Sequence, residues 1–373
     1  MDEVVNICRD LIRVRSYSCE EEEIAGLIKE KMADLGYDSV HIDDCGNVIG
    51  MIDGGGEKKL VLEGHMDTVP ADRNQWRHDP LGAEVEGKRI YGRGASDMKG
   101  ALAAMIYGAS LSRTGEKIYV VCVPMEEIFE GVAFGVALSS IKPDLVVLGE
   151  STELNLNIAQ RGRGEVVVET VGKPAHSSNP DLGVNAVYEM LSIVEEIRNL
   201  ELPEDDLLGR AIIELTDIIS HPYPGSSVVP YACKATFDRR LLVGETKEMV
   251  LDPIRGIIKD RGVEGIASIS SDSAKSYTGK QVESEKFFPA WRMSESNTHI
   301  KRAFKALREV RPDTGLSSYS FCTDGSESAG RRGIPTIGFG PSREGVAHTN
   351  DEYIEVNELL KACEGYRAII EKF

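Results

Sequence analysis

Basic residues are in short supply in this chain: 43 Lys and Arg stand against 61 Asp and Glu, a formal net charge of −18 over 373 residues. Phosphate binding needs a basic face, so the balance argues against a nucleic-acid partner while leaving room for a local basic pocket. Paired cysteine motifs are also missing. Cys8, Cys19, Cys45, Cys122, Cys233, Cys322 and Cys363 are scattered with no C-x-x-C pair, and an odd count does not close a disulfide framework. They are expected to be thiols of a reducing compartment. No basic segment followed by an apolar one comes after Met1-Asp2-Glu3, and no apolar run approaches membrane-spanning length. The expectation is a cytoplasmic enzyme or binding protein with no membrane contact. Internal repeats and low-complexity tracts are absent too. Apolar content of 41% and charge of 28% then exclude disordered and fibrous classes.

What is there is length and pattern. A chain of 373 residues is too long for one ordinary core, so two domains are expected. Val4, Val5, Cys8, Leu11 and Ile12 recur at helical spacing, as do Ile24, Leu27, Ile28 and Leu35 before Gly36. Short strands are predicted at 40–42, 48–52 and 59–62, and a helix from Met98 onward with Asp97 near its N-terminus. Strand and helix alternate through Glu150, the mark of a mostly parallel sheet flanked by helices. After Gln160 the order becomes strand 165–171, helix 184–200, strands 211–219 and 232–241, helix 246–260 and strand 266–271. That β-α-β-β-α-β order predicts a ferredoxin-like α+β module. Alternation resumes near Phe288, with a helix at 298–310, a strand at 336–339 and a closing helix at 356–370. The expected division is 1–162 and 281–373 for one interrupted α/β domain and 163–280 for the insert, with hinges near 161–164 and 277–287.

Three stretches read as a buried strand running into acids: 60–67 ending in Glu63-Gly64-His65-Met66-Asp67, 118–127 ending in Glu126-Glu127, and 144–150 ending in Glu150. Gly94-Ala95-Ser96-Asp97 lies between the first two. Side chains just past a strand reach over the sheet edge into a crevice, where chemistry is done. His65 and Asp67, two apart in an extended segment, leave the same face and can converge. A neutral imidazole with hard carboxylate oxygens suits zinc, cobalt or manganese. An isolated His-x-Asp or strand-end acid is ordinary surface chemistry; four such coincidences are not. Asp97, Glu126, Glu127, Glu150 and the distant His348 supply more oxygen than one catalytic zinc uses. Two metals bridged by a carboxylate, with one acid left over as the base, account for the surplus. These residues alone do not separate Glu126 from Glu127, nor show whether Asp67 is a ligand.

The stretches Gly64-His65-Met66-Asp67-Thr68-Val69-Pro70, Tyr91-Gly92-Arg93-Gly94-Ala95-Ser96-Asp97-Met98-Lys99-Gly100, Glu126-Glu127 and Gly149-Glu150 carry a resemblance, as do Gly172-Lys173-Pro174-Ala175-His176 and Gly333-Ile334-Pro335-Thr336-Ile337-Gly338. Over nearly its whole length the chain resembles the dinuclear metallopeptidase and deacylase family of acetylornithine deacetylase, succinyl-diaminopimelate desuccinylase, aminoacylase and the glutamate carboxypeptidases. Asp238-Arg239-Arg240-Leu241 and Ser276-Tyr277-Thr278-Gly279 are most like a subgroup labelled selenium-metabolism-linked hydrolases, a label that carries no chemistry. The resemblance implies a catalytic α/β domain with an inserted lid and dimerisation domain, and two divalent ions, zinc first, with cobalt or manganese as alternatives. It places one metal on His65, Asp97 and Glu150 and the other on Asp97, Glu127 and His348. Asp67 then stands behind His65, fixing its tautomer, and Glu126 is the general base. His176 is implied as an oxyanion donor reaching the neighbouring subunit of a homodimer, against the plainer reading of a helix cap. Arg240 is implied as the grip on the substrate's carboxylate, against an exposed ion pair; Arg239, on the opposite face, is read as structural. Ser227 stands where the family often has Asn, Ser151 where it often has Pro, and Gly325 and Ser326 fall in the family's substrate loop.

The leading expectation is hydrolysis of N-acyl amino acids or small peptides with a free carboxylate, the insert closing over a small-molecule substrate. A dipeptidase or aminopeptidase of the same architecture is the enzyme alternative. A metal-stabilised binding protein without catalysis is disfavoured by the presence of Glu126. A purely structural oligomer, paired through the insert's sheet edges, predicts no turnover on any amide.

Overall fold

The computed structural model describes residues 2–373. They form two compact units: one comprises the chain up to Gln160 with 273–282 and 291–373, the other 161–272 with 283–290.

The first unit is built on a nine-stranded sheet in the order Ser39–Ile42, Val48–Asp53, Lys117–Val123, Lys59–His65, Leu145–Leu148, Thr336–Gly338, Leu156–Gln160, Trp291–Arg292, with Leu316–Tyr319 also paired to Leu156–Gln160. Its centre is parallel: Lys59–His65 runs beside Lys117–Val123 and Leu145–Leu148, and Thr336–Gly338 beside the latter. Continuous apolar runs such as Leu60-Val61-Leu62 are buried on both faces, as central parallel strands require. Helices Asp2–Arg13, Gly100–Leu111, Thr298–Val310 and Val356–Lys372 pack on one another. Val132–Ile141 packs through Phe134, Ala137 and Leu138 with Val61, Val121 and Val146. Both flanks of the sheet bring in antiparallel pairs, which strand-helix alternation alone does not show, although Leu316–Tyr319 runs parallel to Leu156–Gln160.

One boundary differs informatively. The helix after Asp97 starts at Gly100, not Met98; residues 95–99 form an irregular turn with Asp97 at φ −129°, ψ 94°. Its N–H groups are claimed by another acid, described below. A small sheet of Glu84–Glu86, Arg89–Tyr91 and Tyr353–Glu355 brings that acid in, with Ile354 opposite Ile90.

The second unit carries an antiparallel sheet in the order Ile212–His221, Ala232–Leu241, Gly162–Val171, Gly265–Ile269, with helices Ala186–Arg198 and Lys247–Asp260. This is the β-α-β-β-α-β arrangement, and Val166, Val168, Ala235, Phe237, Ile193 and Ile254 share its core. Asn185 and Thr246 cap the two helices by accepting from Val187 N and Met249 N. The return to the first unit is not a single crossing at 280/281. Residues 273–282 belong to the first unit and 283–290 to the second. The reason is local bonding: Ser276 Oγ donates to Cys45 O at 2.7 Å and Tyr277 Oη to Gly46 O at 2.7 Å, whereas Phe287 and Phe288 pair with Gly164 and Arg163.

Candidate metal centre

His65 closes the strand Lys59–His65, and Glu126-Glu127 and Glu150 follow the neighbouring parallel strands, so all reach the same C-terminal sheet edge. Asp97 arrives on the irregular turn and His348 on the long connection after Thr336–Gly338. Tertiary structure converges them. His65 Nε2 lies 2.8 Å from Asp97 Oδ1 and 3.5 Å from Glu150 Oε1. His348 Nε2 lies 3.2 Å from Asp97 Oδ2 and 3.1 Å from Glu127 Oε2. Asp97 therefore faces one imidazole with each oxygen. His65 with Glu126 and Glu150, and His65 with Asp97 and Glu127, each offer ligand atoms within 4.8 Å of one another.

Asp67 is buried behind His65. Its Oδ1 accepts from Glu126 N at 3.1 Å, and its Oδ2 from Glu127 N at 3.2 Å and Ser18 Oγ at 2.7 Å. One carboxylate thus fixes the backbone of both acids after the strand Lys117–Val123. His65 Nδ1 lies 2.9 Å from the main-chain oxygen of Asp67 and 3.5 Å from its Oδ1. A carbonyl only accepts, so Nδ1 carries a proton, and Nε2 is the nitrogen that faces Asp97 and Glu150 and is available to a metal.

The electrostatics are those of crowded acid under cover. Burial pushes the Glu150 carboxyl up to about 8, with Asp97 adding to the effect, and raises Glu126 well above the usual carboxylate range. Glu127 is raised for the same reason, although its bond to His348 opposes the shift. For Asp97 burial is outweighed by the bonds to His348 and His65, and its carboxyl is lowered. Hydrogen bonds to Asp97 and Glu127 push His348 up to about 10; burial opposes ionisation of His65, yet Asp67 and Asp97 raise it well above the usual value. The cluster calls for positive charge among its oxygens. Two imidazole nitrogens with four carboxylates around a shared Asp97 are a donor set that fits a pair of divalent cations.

The other sequence candidates divide between the two units. Gly325 is buried, and a Cβ there would run into the Trp291 indole nitrogen, Leu148 and Gln160. Beside it Asp324 accepts from Gly131 N, and its carboxyl is pushed up to about 7 by burial. His176, Ser227 and Arg240 belong to the second unit. His176 and Ser227 come together there, through the bridge of His176 to Val228 and the bond from Ser177 N to Ser227 O at 3.0 Å. Arg240 Nε pairs with Asp238 Oδ1 at 2.7 Å, while Arg239 is buried against Glu245. Ser18, Arg93 and Glu352, which organise the centre, escaped the sequence reading. No spacing rule marks them, because each acts on groups far away in sequence: Ser18 on the Asp67 carboxylate, Arg93 on that of Glu352, and Glu352 on the amides of Gly94, Ser96 and Asp97.

With this geometry in view, the likeness to known proteins can be placed. The description Peptidase family M20/M25/M40 matches residues 61–372. The chain is similar to YgeY of Escherichia coli (strain K12), 33% identical over 380 residues that cover 98% of this chain and 93% of that protein. It is 29% identical over 311 residues to acetylornithine deacetylase of Buchnera aphidicola subsp. Acyrthosiphon pisum (strain APS), covering 81% and 77% of the two. Its fold matches that of the M20 family metallo-carboxypeptidase Sso-CP2 from Sulfolobus solfataricus with a TM-score of 0.80 at 18% identity, covering 100% and 99%.

Proposed function

The chain belongs to peptidase family M20/M25/M40 and is an amide-bond hydrolase, and from that premise we propose that it cleaves N-acyl amino acids or small peptides bearing a free carboxylate. The observation that carries the reading is the convergence of His65, Asp97, Glu127, Glu150 and His348 at one sheet edge, with Glu126 beside them. His65, Asp97 and Glu150 would hold one divalent ion, and Asp97, Glu127 and His348 the other. Zinc is the first candidate by donor type, with cobalt or manganese as alternatives. When bound, such a pair supplies Lewis acidity and lowers the pKa of water toward neutrality.

The protein's own groups do the rest. Asp67 and its main-chain carbonyl keep the His65 proton on Nδ1 and hold the Glu126 and Glu127 backbone in place. In its ionised form the carboxylate of Glu126, whose affinity for a proton is raised by burial, takes one from the attacking water and returns it to the leaving nitrogen. His176 is assigned the oxyanion and Arg240 the substrate's carboxylate, which a planar guanidinium binds with two bonds. The edge strand Ile212–His221 exposes Ile212, Ile218 and Ile219, which supports pairing of two copies into a homodimer. The seven cysteines are unpaired, in keeping with a reducing compartment such as the cytoplasm. No helix of the described residues is long and apolar enough to cross a membrane.

Glu126→Gln tests the mechanism. Metal content should match wild type while kcat falls by roughly 10²- to 10⁴-fold, the usual weight of a general acid-base group; unaltered turnover would remove Glu126 from the reaction. Rates on a panel of N-acyl amino acids beside a panel of dipeptides separate deacylase from dipeptidase.

A further inference from the structure

Glu352 is a fully buried acid four residues beyond His348, and its carboxylate oxygens meet four donors. Its Oε1 accepts from Ser96 N at 2.8 Å and Asp97 N at 3.0 Å. Its Oε2 accepts from Gly94 N at 3.1 Å and from Arg93 Nη1 at 2.6 Å. Its own main-chain oxygen takes Gly92 N at 2.9 Å. An ionised carboxylate offers about four acceptor sites, and four donors fill them here. Arg93 is itself held over the Trp76 ring, 5.1 Å from its centroid.

We propose that Glu352 is a positioning residue of the metal centre, which sets the separation between Asp97 and His348 by gripping the backbone of one while anchoring the loop that carries the other. The inference rests on the two-metal reading above and adds a device to it. The N–H groups of Gly94, Ser96 and Asp97 precede the helix Gly100–Leu111, and Lys99 N already bonds to Gly94 O at 2.8 Å. Released from Glu352, the amides of Gly94, Ser96 and Asp97 would lose their acceptor and the turn its fixed shape, which would let the Asp97 carboxylate leave its line between the two imidazoles. The other side of the clamp is equally fixed. Asp351 Oδ1 accepts from Arg77 N at 2.9 Å and His78 N at 3.0 Å, and Ser342 Oγ meets Ser96 Oγ at 2.6 Å. The connection from Ser342 to Glu352, with His348 inside it, is thus tied to the Asp97 turn at both ends. Asp67 does the same for His65, Glu126 and Glu127, so two buried acids organise the centre through main-chain amides.

The test is metal titration of the full-length protein with Co²⁺ or Zn²⁺ against a chelator, for wild type and Glu352→Gln. The amide keeps the shape but turns an NH₂ toward N–H and guanidinium donors. We expect both equivalents to weaken, since Asp97 is shared, and the one that also needs His348 to weaken the more, by about 10- to 100-fold, the usual effect of losing a group behind a ligand. The value of kcat should fall at limiting metal and recover at saturating metal, with KM unchanged. A merely structural role would lower the melting temperature of the metal-free protein while leaving both affinities alone, and that result overturns the proposal. If wild type itself binds no second equivalent, the two-metal reading fails instead, and the titration shows it separately. If circular dichroism shows Glu352→Gln unfolded, Arg93→Lys decides: it loosens one arm of the clamp, and a weaker second equivalent supports the proposal while wild-type affinity overturns it.

Discussion

Glu21 shows how much a single buried acid can do at this site without touching it. Its Oε1 accepts from Cys19 N at 2.9 Å and Met125 N at 3.0 Å, bracing the turn that leads into Glu126. Burial, reinforced by the nearby charge of Asp67, pushes its carboxyl from 4.5 up to about 7. The folded chain therefore holds this proton more tightly than the unfolded chain does. The associated stability is full below pH 4.5 and is lost as pH rises through about 7, on the order of 3 kcal/mol at 1.36 kcal/mol per unit. Glu21→Gln should become more stable relative to wild type by that order between pH 4.5 and 8, measured by urea unfolding at each pH. A difference that does not change with pH would sink the assignment. At this scale His65, Asp97, Glu126, Glu127, Glu150 and His348, whose side chains converge, were legible as a group because imidazoles and acids at strand ends stand out by residue type. Glu21 and Glu352 were not, because what they bind is backbone, and backbone carries no residue code.

The elements matter most where strands end. Thr336–Gly338 runs parallel to Leu145–Leu148, and the chain beyond it passes so close that a Cβ on Gly340 would lie against the carbonyl oxygens of Gly149 and Glu150. Backbone cannot yield as a flexible side chain does. Gly340→Ala should cost about 1–3 kcal/mol as overpacking and weaken metal binding through displaced Glu150, read by urea unfolding and metal content together. Normal metal content with normal stability would show that the approach is looser than described. Strand and helix positions were largely readable from apolar periodicity, as in helices Glu22–Asp34 and Thr298–Val310. The start of Gly100–Leu111 was not, since the amides of Gly94, Ser96 and Asp97 before it are taken by Glu352, an acid some 250 positions later in the chain.

For the whole molecule, two cores imply two responses. The proposed metal ligands all lie in the first unit, whereas Val166, Val168, Ala235 and Phe237 build the core of the second. A ligand that binds only the folded state stabilises the part that holds it. Stripping metal with a chelator should raise amide hydrogen exchange at residues 64–67, 94–100, 123–127 and 342–352 and leave 165–171 and 232–241 as they were. Equal change in both sets would contradict a centre confined to the first unit. By itself the sequence determined the alternation of the first unit, the β-α-β-β-α-β insert and the kinds of residue at the centre. Those follow from periodicity and ligand chemistry, which are local. Only tertiary structure decided the antiparallel flanks, the double return between 273 and 290, and the clamp of Glu352 on Asp97. Each depends on hydrogen bonds that main-chain groups make to partners far away in the chain, main-chain or side-chain. Main-chain groups are the same at every residue but proline, so a sequence cannot show which of them will meet.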